Sequence, residues 1–151
     1  MPDDTTMLDA RVRLAILQGF IDGDTPSMAT VAAALGEPAS DVAVSFERLA
    51  VGRAIVLTPG THEIRMAAPF AGKPTDFRAT VAGSAWFANC IWDAMGIPAM
   101  LGAPDARIET VCADCNTLLH LDLRDGGVTG DATVVHFAVP AARWWENIVF
   151  T

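Results

Sequence analysis

The spacing of apolar residues changes character near Gly52 and again at Ser84, and the first change decides the kind of fold available to the start of the chain. Upstream, apolar residues recur at helical intervals. "LDARVRLAILQGFIDG" places Leu8, Val12, Ala15 and Ile16 on one face and stops at Gly23-Asp24. "MATVAAALG", after "TPS", predicts a short second helix closed by Gly36. "EPASDVAVSFERLAVG" predicts a third, with Ser40 or Asp41 as its cap, a stripe at Val42, Phe46 and Leu49, and Gly52 as its stop. Downstream the elements are short and extended: "RAIVLTPGTHEIRMA" predicts a hairpin around Pro59-Gly60. Three helices followed by a hairpin is the order of a winged-helix-like module, assigned to residues 1–67.

The next stretch, "APFAGKPTDFRATVAG" (68–83), is punctuated by Pro and Gly and predicts a linker. From Ser84 a serine cap, a helix through "SAWFANCIWDAMG" ending at Gly96, and Pro98 close behind are expected. "RIETVCADC", "TLLHLDLRDGG" and "ATVVHFAVP" predict strands, separated by Asn116, the Asp125-Gly126-Gly127 turn and Gly130. "PAARWWENIVFT" predicts a helical turn and the start of a strand. The expected class is α+β, with a second domain over 84–151 that mixes sheet and helix.

Composition narrows the function classes. Hydrophobic residues make up 52% of the 151, and mean hydropathy is +0.34. No apolar run approaches the roughly 20 residues that cross a bilayer, so a soluble protein without a membrane partner is expected. The acidic start "MPDDTTMLDARVRLAIL" lacks the features of a secretory signal and predicts a cytoplasmic location. A net charge of −8, with Lys73 the only lysine, argues against a nucleic-acid partner. The third helix offers only Arg48 and Arg53 against Asp41 and Glu47, a poor surface for phosphates. Three cysteines are odd in number and too few for a disulfide framework, which predicts free thiols in a reducing compartment.

Two places can hold chemistry. On a helix, Cys90 and Asp93 would be neighbours three positions apart, a soft thiol beside a proton donor. Trp86, Phe87 and Trp92 would lower the local polarity and raise the carboxyl pKa, as a general acid requires. In isolation, Cys90 reads first as a small core residue and Asp93 as a partly exposed helix charge. The second place is "VCADCN", where Cys112 and Cys115 form a CxxC without a matching second pair. As half of a zinc site it would need completion by Cys90, His62, His120 or His136; as a redox pair it lacks a strand-to-helix setting. Structural and metal-binding roles both stand.

"WFANCIWDAMGIPAMLG", the cysteine loop "VCADC" and "VVHFAVPAARWWENIVFT" together resemble the organomercurial (alkylmercury) lyases, especially short actinobacterial-type members. The resemblance spans nearly all of the chain and implies an alkylmercury-lyase-like second domain behind the winged-helix-like module. It implies that two thiols grip mercury while an aspartate protonates the departing carbon. By motif match Cys90 is the first thiol and Asp93 the acid, and Cys112 matches a structural cysteine. Cys90, Cys112 and Cys115 are the candidate metal ligands.

The resemblance further implies a small organomercurial substrate, cellular thiols as partners, Hg(II) as the bound product, and no organic cofactor. Zinc at Cys112/Cys115 is the one further metal expected. The family's second catalytic thiol would follow Thr151, so the chain is expected to be C-terminally shortened relative to the family. A premature stop, a UGA codon for selenocysteine, or a substitute thiol from Cys112 or Cys115 are three accounts of this. A terminal strand left exposed would favour a homodimer. The alternative function is a non-catalytic soft-metal (Hg, Zn or Cu) binding or thiol-sensing regulatory protein.

Overall fold

Three helices form as the apolar spacing requires. The computed structural model describes residues 4–129 and 134–149. Helix α1 (Asp4–Ile21) turns Val12, Ile16 and Phe20 inward, and α2 (Met28–Leu35) and α3 (Ala39–Val51) pack on it through Val31, Val42 and Phe46. Ser27 caps α2 by accepting the Thr30 N–H at 3.1 Å, and Gly36 closes it in the left-handed conformation. The expected cap of α3 is displaced: Pro38 holds the cap position without a side-chain bond, and Asp41 lies in the first turn, where a negative charge is favoured. Between α1 and α3, Asp9 takes Arg48 in a two-toothed pair (2.6 and 2.9 Å) and the Ser45 hydroxyl.

The chain then enters an antiparallel sheet of β1 (Val56–Leu57), β2 (Ile64–Ala67) and β3 (Phe70–Ala71). β3 and the next strand, β4 (Arg78–Val81), lie inside 68–83, so this segment is not a bare linker. Gly72 follows β3 so closely beneath β2 that a Cβ there would collide with the Ile64 carbonyl oxygen. Only glycine admits that approach.

A second sheet runs in the order β5-β4-β6-β7-β8, antiparallel throughout, with β5 at Ser84–Phe87, β6 at Ala106–Val111, β7 at Leu118–Arg124 and β8 at Gly127–Thr129. The helix expected from Ser84 is therefore corrected. Residues 84–87 pair with β4 around a two-residue turn, Ala82-Gly83, in which both residues have positive φ. Cross-strand bonding overrides the local pattern, and α4 (Ile91–Met100) begins only after Cys90. It also runs past Gly96 and contains Pro98, whose missing N–H leaves one helical bond unmade.

Among the described residues of the expected strand 132–140, residues 134–140 form none. The helical turn before the C-terminus is a 3₁₀ helix, Ala141–Glu146. Residues 148–149 form a turn rather than the strand expected there, and 150–151 lie outside the described residues.

The two sheets and the helices share a core. Phe20 of α1 stacks on Phe70 of β3 with ring centroids 5.3 Å apart, and Trp86 of β5 meets Phe70 and donates its Nε1–H to the Phe20 carbonyl at 2.7 Å. A bridge from Phe70 to Ala88 ties the sheets together immediately before the segment that carries the thiol.

Candidate active site

The chain approaches α4 along a fixed path. Ala88 is fully buried; it donates its N–H to the Phe77 carbonyl at 2.9 Å and accepts the Thr75 hydroxyl at 2.6 Å. Two residues later Cys90 caps the helix, in extended backbone, its Sγ accepting the Asp93 N–H at 3.5 Å. Cys90 is thus not on the helix face, as the spacing predicted, but at its N-cap, and the cap bond itself brings thiol and acid together. Asn89 adds a third group: its Nδ2 donates to Asp93 Oδ2 at 2.9 Å.

Burial pushes both acidic groups up. The Cys90 thiol is raised chiefly by desolvation and by the Asp93 charge, against the lowering effect of the Asp93 and Trp92 N–H groups. Desolvation likewise raises the Asp93 carboxyl, opposed by the Asn89 amide. A raised carboxyl beside a thiol is a proton reservoir next to a soft ligand.

Both face a cavity of about 960 Å³ whose wall also includes Asn89, Cys112, His136 and Arg53. Its apolar side comes from aromatic residues, Trp92 of α4 and Trp144 and Trp145 of the 3₁₀ helix among them. Arg53, in the left-handed conformation after α3, lies over Trp145 at 5.2 Å from the ring centroid. Two buried polar atoms of the wall, Asn89 Oδ1 and Thr110 Oγ1, have no hydrogen-bond partner among the described residues.

The CxxC sits in the loop between β6 and β7, closed by the Cys112 N–H on the Thr117 carbonyl and the Asn116 N–H on the Cys112 carbonyl. Cys112 is half-buried and reaches the cavity; Cys115 is exposed, 3.1 Å from the Thr117 hydroxyl. Hydrogen bonds from Thr117 and then Cys112 lower the Cys115 thiol. Of the expected completers, His136 lines the cavity, His62 pairs with Glu47 at 3.4 Å, and His120 stands opposite Glu109 in β7. Among the described residues no group of three or more His, Cys, Asp or Glu is placed to hold a metal ion. Of the tryptophan wall the sequence pointed to Trp92 alone, and Asn89, Thr110, Trp144 and Trp145 were not foreseen. Only Asn89 carried a signal, its spacing of four from an aspartate.

Helices followed by antiparallel sheets, with thiol and carboxyl at the start of α4, define an α+β protein with its reactive groups at a helix N-terminus. Residues 70–151 match the family model of alkylmercury lyase (MerB), and the chain belongs to that family. A crystal structure of the mercury-bound form of MerB2 has the same fold, with a TM-score of 0.65 and 20% identity. The alignment covers 86% of this chain and 60% of that one, so the chain spans about three fifths of the protein it matches. No curated protein matches.

Proposed function

We propose that this chain is an organomercurial lyase in which Cys90 binds the mercury of the substrate and Asp93 protonates the carbon that leaves. The observation that carries this reading is the single turn at the start of α4, where Cys90 Sγ rests on the Asp93 N–H and both residues open onto one apolar cavity. Membership of the alkylmercury lyase family and the mercury-bound state of MerB2 support the choice of substrate.

The chemistry follows from the groups. Mercury is soft and takes sulfur, and binding displaces the Cys90 proton that burial otherwise retains. Added sulfur donation weakens the mercury–carbon bond. As that bond breaks, its electron pair takes the Asp93 proton, forming the C–H bond of the hydrocarbon and leaving a carboxylate and thiolate-bound Hg(II). Cys112, on the same cavity wall, is the chain's own candidate for a second thiolate; an external thiol is the other. Thiols then remove the product, and no organic cofactor is needed. In this reading α1–α3 with the β1–β2 hairpin serve as the winged-helix-like module and 84–151 as the catalytic part.

The test is benzene release from phenylmercuric acetate in excess thiol. Cys90→Ser and Asp93→Ala are each expected to abolish it, and Asp93→Ala is expected to keep mercury on the protein. Benzene release unaffected by either change refutes the assignment. Mercury retained by the native chain with no benzene favours the alternative, a soft-metal binding protein.

A further inference from the structure

Asn89 stands one residue before the thiol and one helical turn before the acid. Its backbone leaves a fixed point, because Ala88 is bonded to Phe77, Thr75 and Phe70. From there Nδ2 donates to Asp93 Oδ2 at 2.9 Å, while the amide's own Oδ1 is buried and unpartnered among the described residues. An amide chosen for stability alone would satisfy its acceptor. Asp93 Oδ1, by contrast, is engaged by no hydrogen bond among the described residues and belongs to a residue of the cavity wall.

We propose that Asn89 is a positioning residue that fixes the Asp93 carboxyl through Oδ2 and so makes Oδ1 the oxygen that delivers the proton. This inference rests on the lyase reading. The proton leaves Oδ1 for the carbon as the mercury–carbon bond breaks, and the negative charge left on the carboxylate is shared with Oδ2. The Asn89 bond to that oxygen then becomes charge-assisted, so it is stronger in the transition state than beside the neutral acid. A contact that strengthens as the reaction proceeds raises kcat rather than binding.

The experiment compares the native chain with Asn89→Leu and Asn89→Gln in benzene release from phenylmercuric acetate. Asn89→Leu is expected to lower kcat about tenfold, the scale by which a hydrogen bond to a charged group exceeds one to a neutral group. KM and the stoichiometry of retained mercury should be unchanged, and the solvent deuterium isotope effect should grow. Asn89→Gln, which can still bond an aspartate four residues on, should recover most of kcat. An unchanged kcat in Asn89→Leu overturns the proposal, and so does a parallel loss of kcat and mercury retention in both variants. If the native chain releases no benzene, the lyase reading fails instead, and the Asn89 side-chain amide resonances decide the contact. Their displacement in Asp93→Ala upholds it; unmoved resonances overturn it.

Discussion

Asp9 accepts from Arg48 and Ser45, and the Arg48 hydrogen bonds hold its carboxyl below the usual 3.8 against a smaller opposing effect of desolvation. A depressed folded-state pKa contributes stability that is present above the unfolded value and lost as pH falls through the folded one. Thermal stability should therefore drop as pH falls below about 4, and Asp9→Asn should flatten that part of the curve. Asp93 has the opposite sign. Its carboxyl is raised by burial, so folding favours the protonated form, and stability is lost as pH rises from 3.8 through the raised value. Asp93→Asn, nearly the same shape without the charge, should raise Tm at pH 7 and make no difference near pH 3. Melting curves of the two variants across pH separate the effects, and an unshifted Asp93→Asn at pH 7 contradicts the desolvation argument.

At the scale of elements, the end of β3, where the chain passes against β2, is a place where sequence has little freedom. Gly72→Ala puts a methyl against the Ile64 carbonyl and should cost about 3 kcal/mol, the upper part of the usual range for overpacking. Urea unfolding measures it; a loss below about 1 kcal/mol would mean that β3 can shift away. Helices α1 and α2 were legible because Val12 and Ile16, then the closing Gly36, carry periodicity and a stop in the local sequence. The β7–β8 turn at Asp125-Gly126 was legible for the same reason. β3, β4 and β5 were not, since strands of two to four residues are too short to show a period, and β4 takes its second partner, β6, from beyond α4. Missing β5 also misplaced Cys90, put inside a helix when it caps one. The pairing of thiol and acid was readable from their spacing, and the Asn89 contact had a local signal in its spacing of four from Asp93; the cavity wall depends on how distant segments meet.

For the whole molecule, the seam of Phe20, Phe70 and Trp86 makes the helices and both sheets depend on one another. Phe70→Ala, at a fully buried site, should cost about 3–5 kcal/mol. Far-UV circular dichroism, which follows the helices, should lose signal at the same midpoint as the near-UV signal of the packed tryptophans, all of which follow α3 in the chain; two separated midpoints would show that the halves unfold independently.

The placing of the tryptophans has an optical consequence. Of the four, Trp92, Trp144 and Trp145 line the cavity, and Trp86 is tied to α1. Most of the indole emission thus originates at the chamber wall, within range of a heavy atom whose spin–orbit coupling quenches fluorescence. The protein carries its own lamp inside the chamber, and its dimming would time the arrival of mercury without a dye or a label.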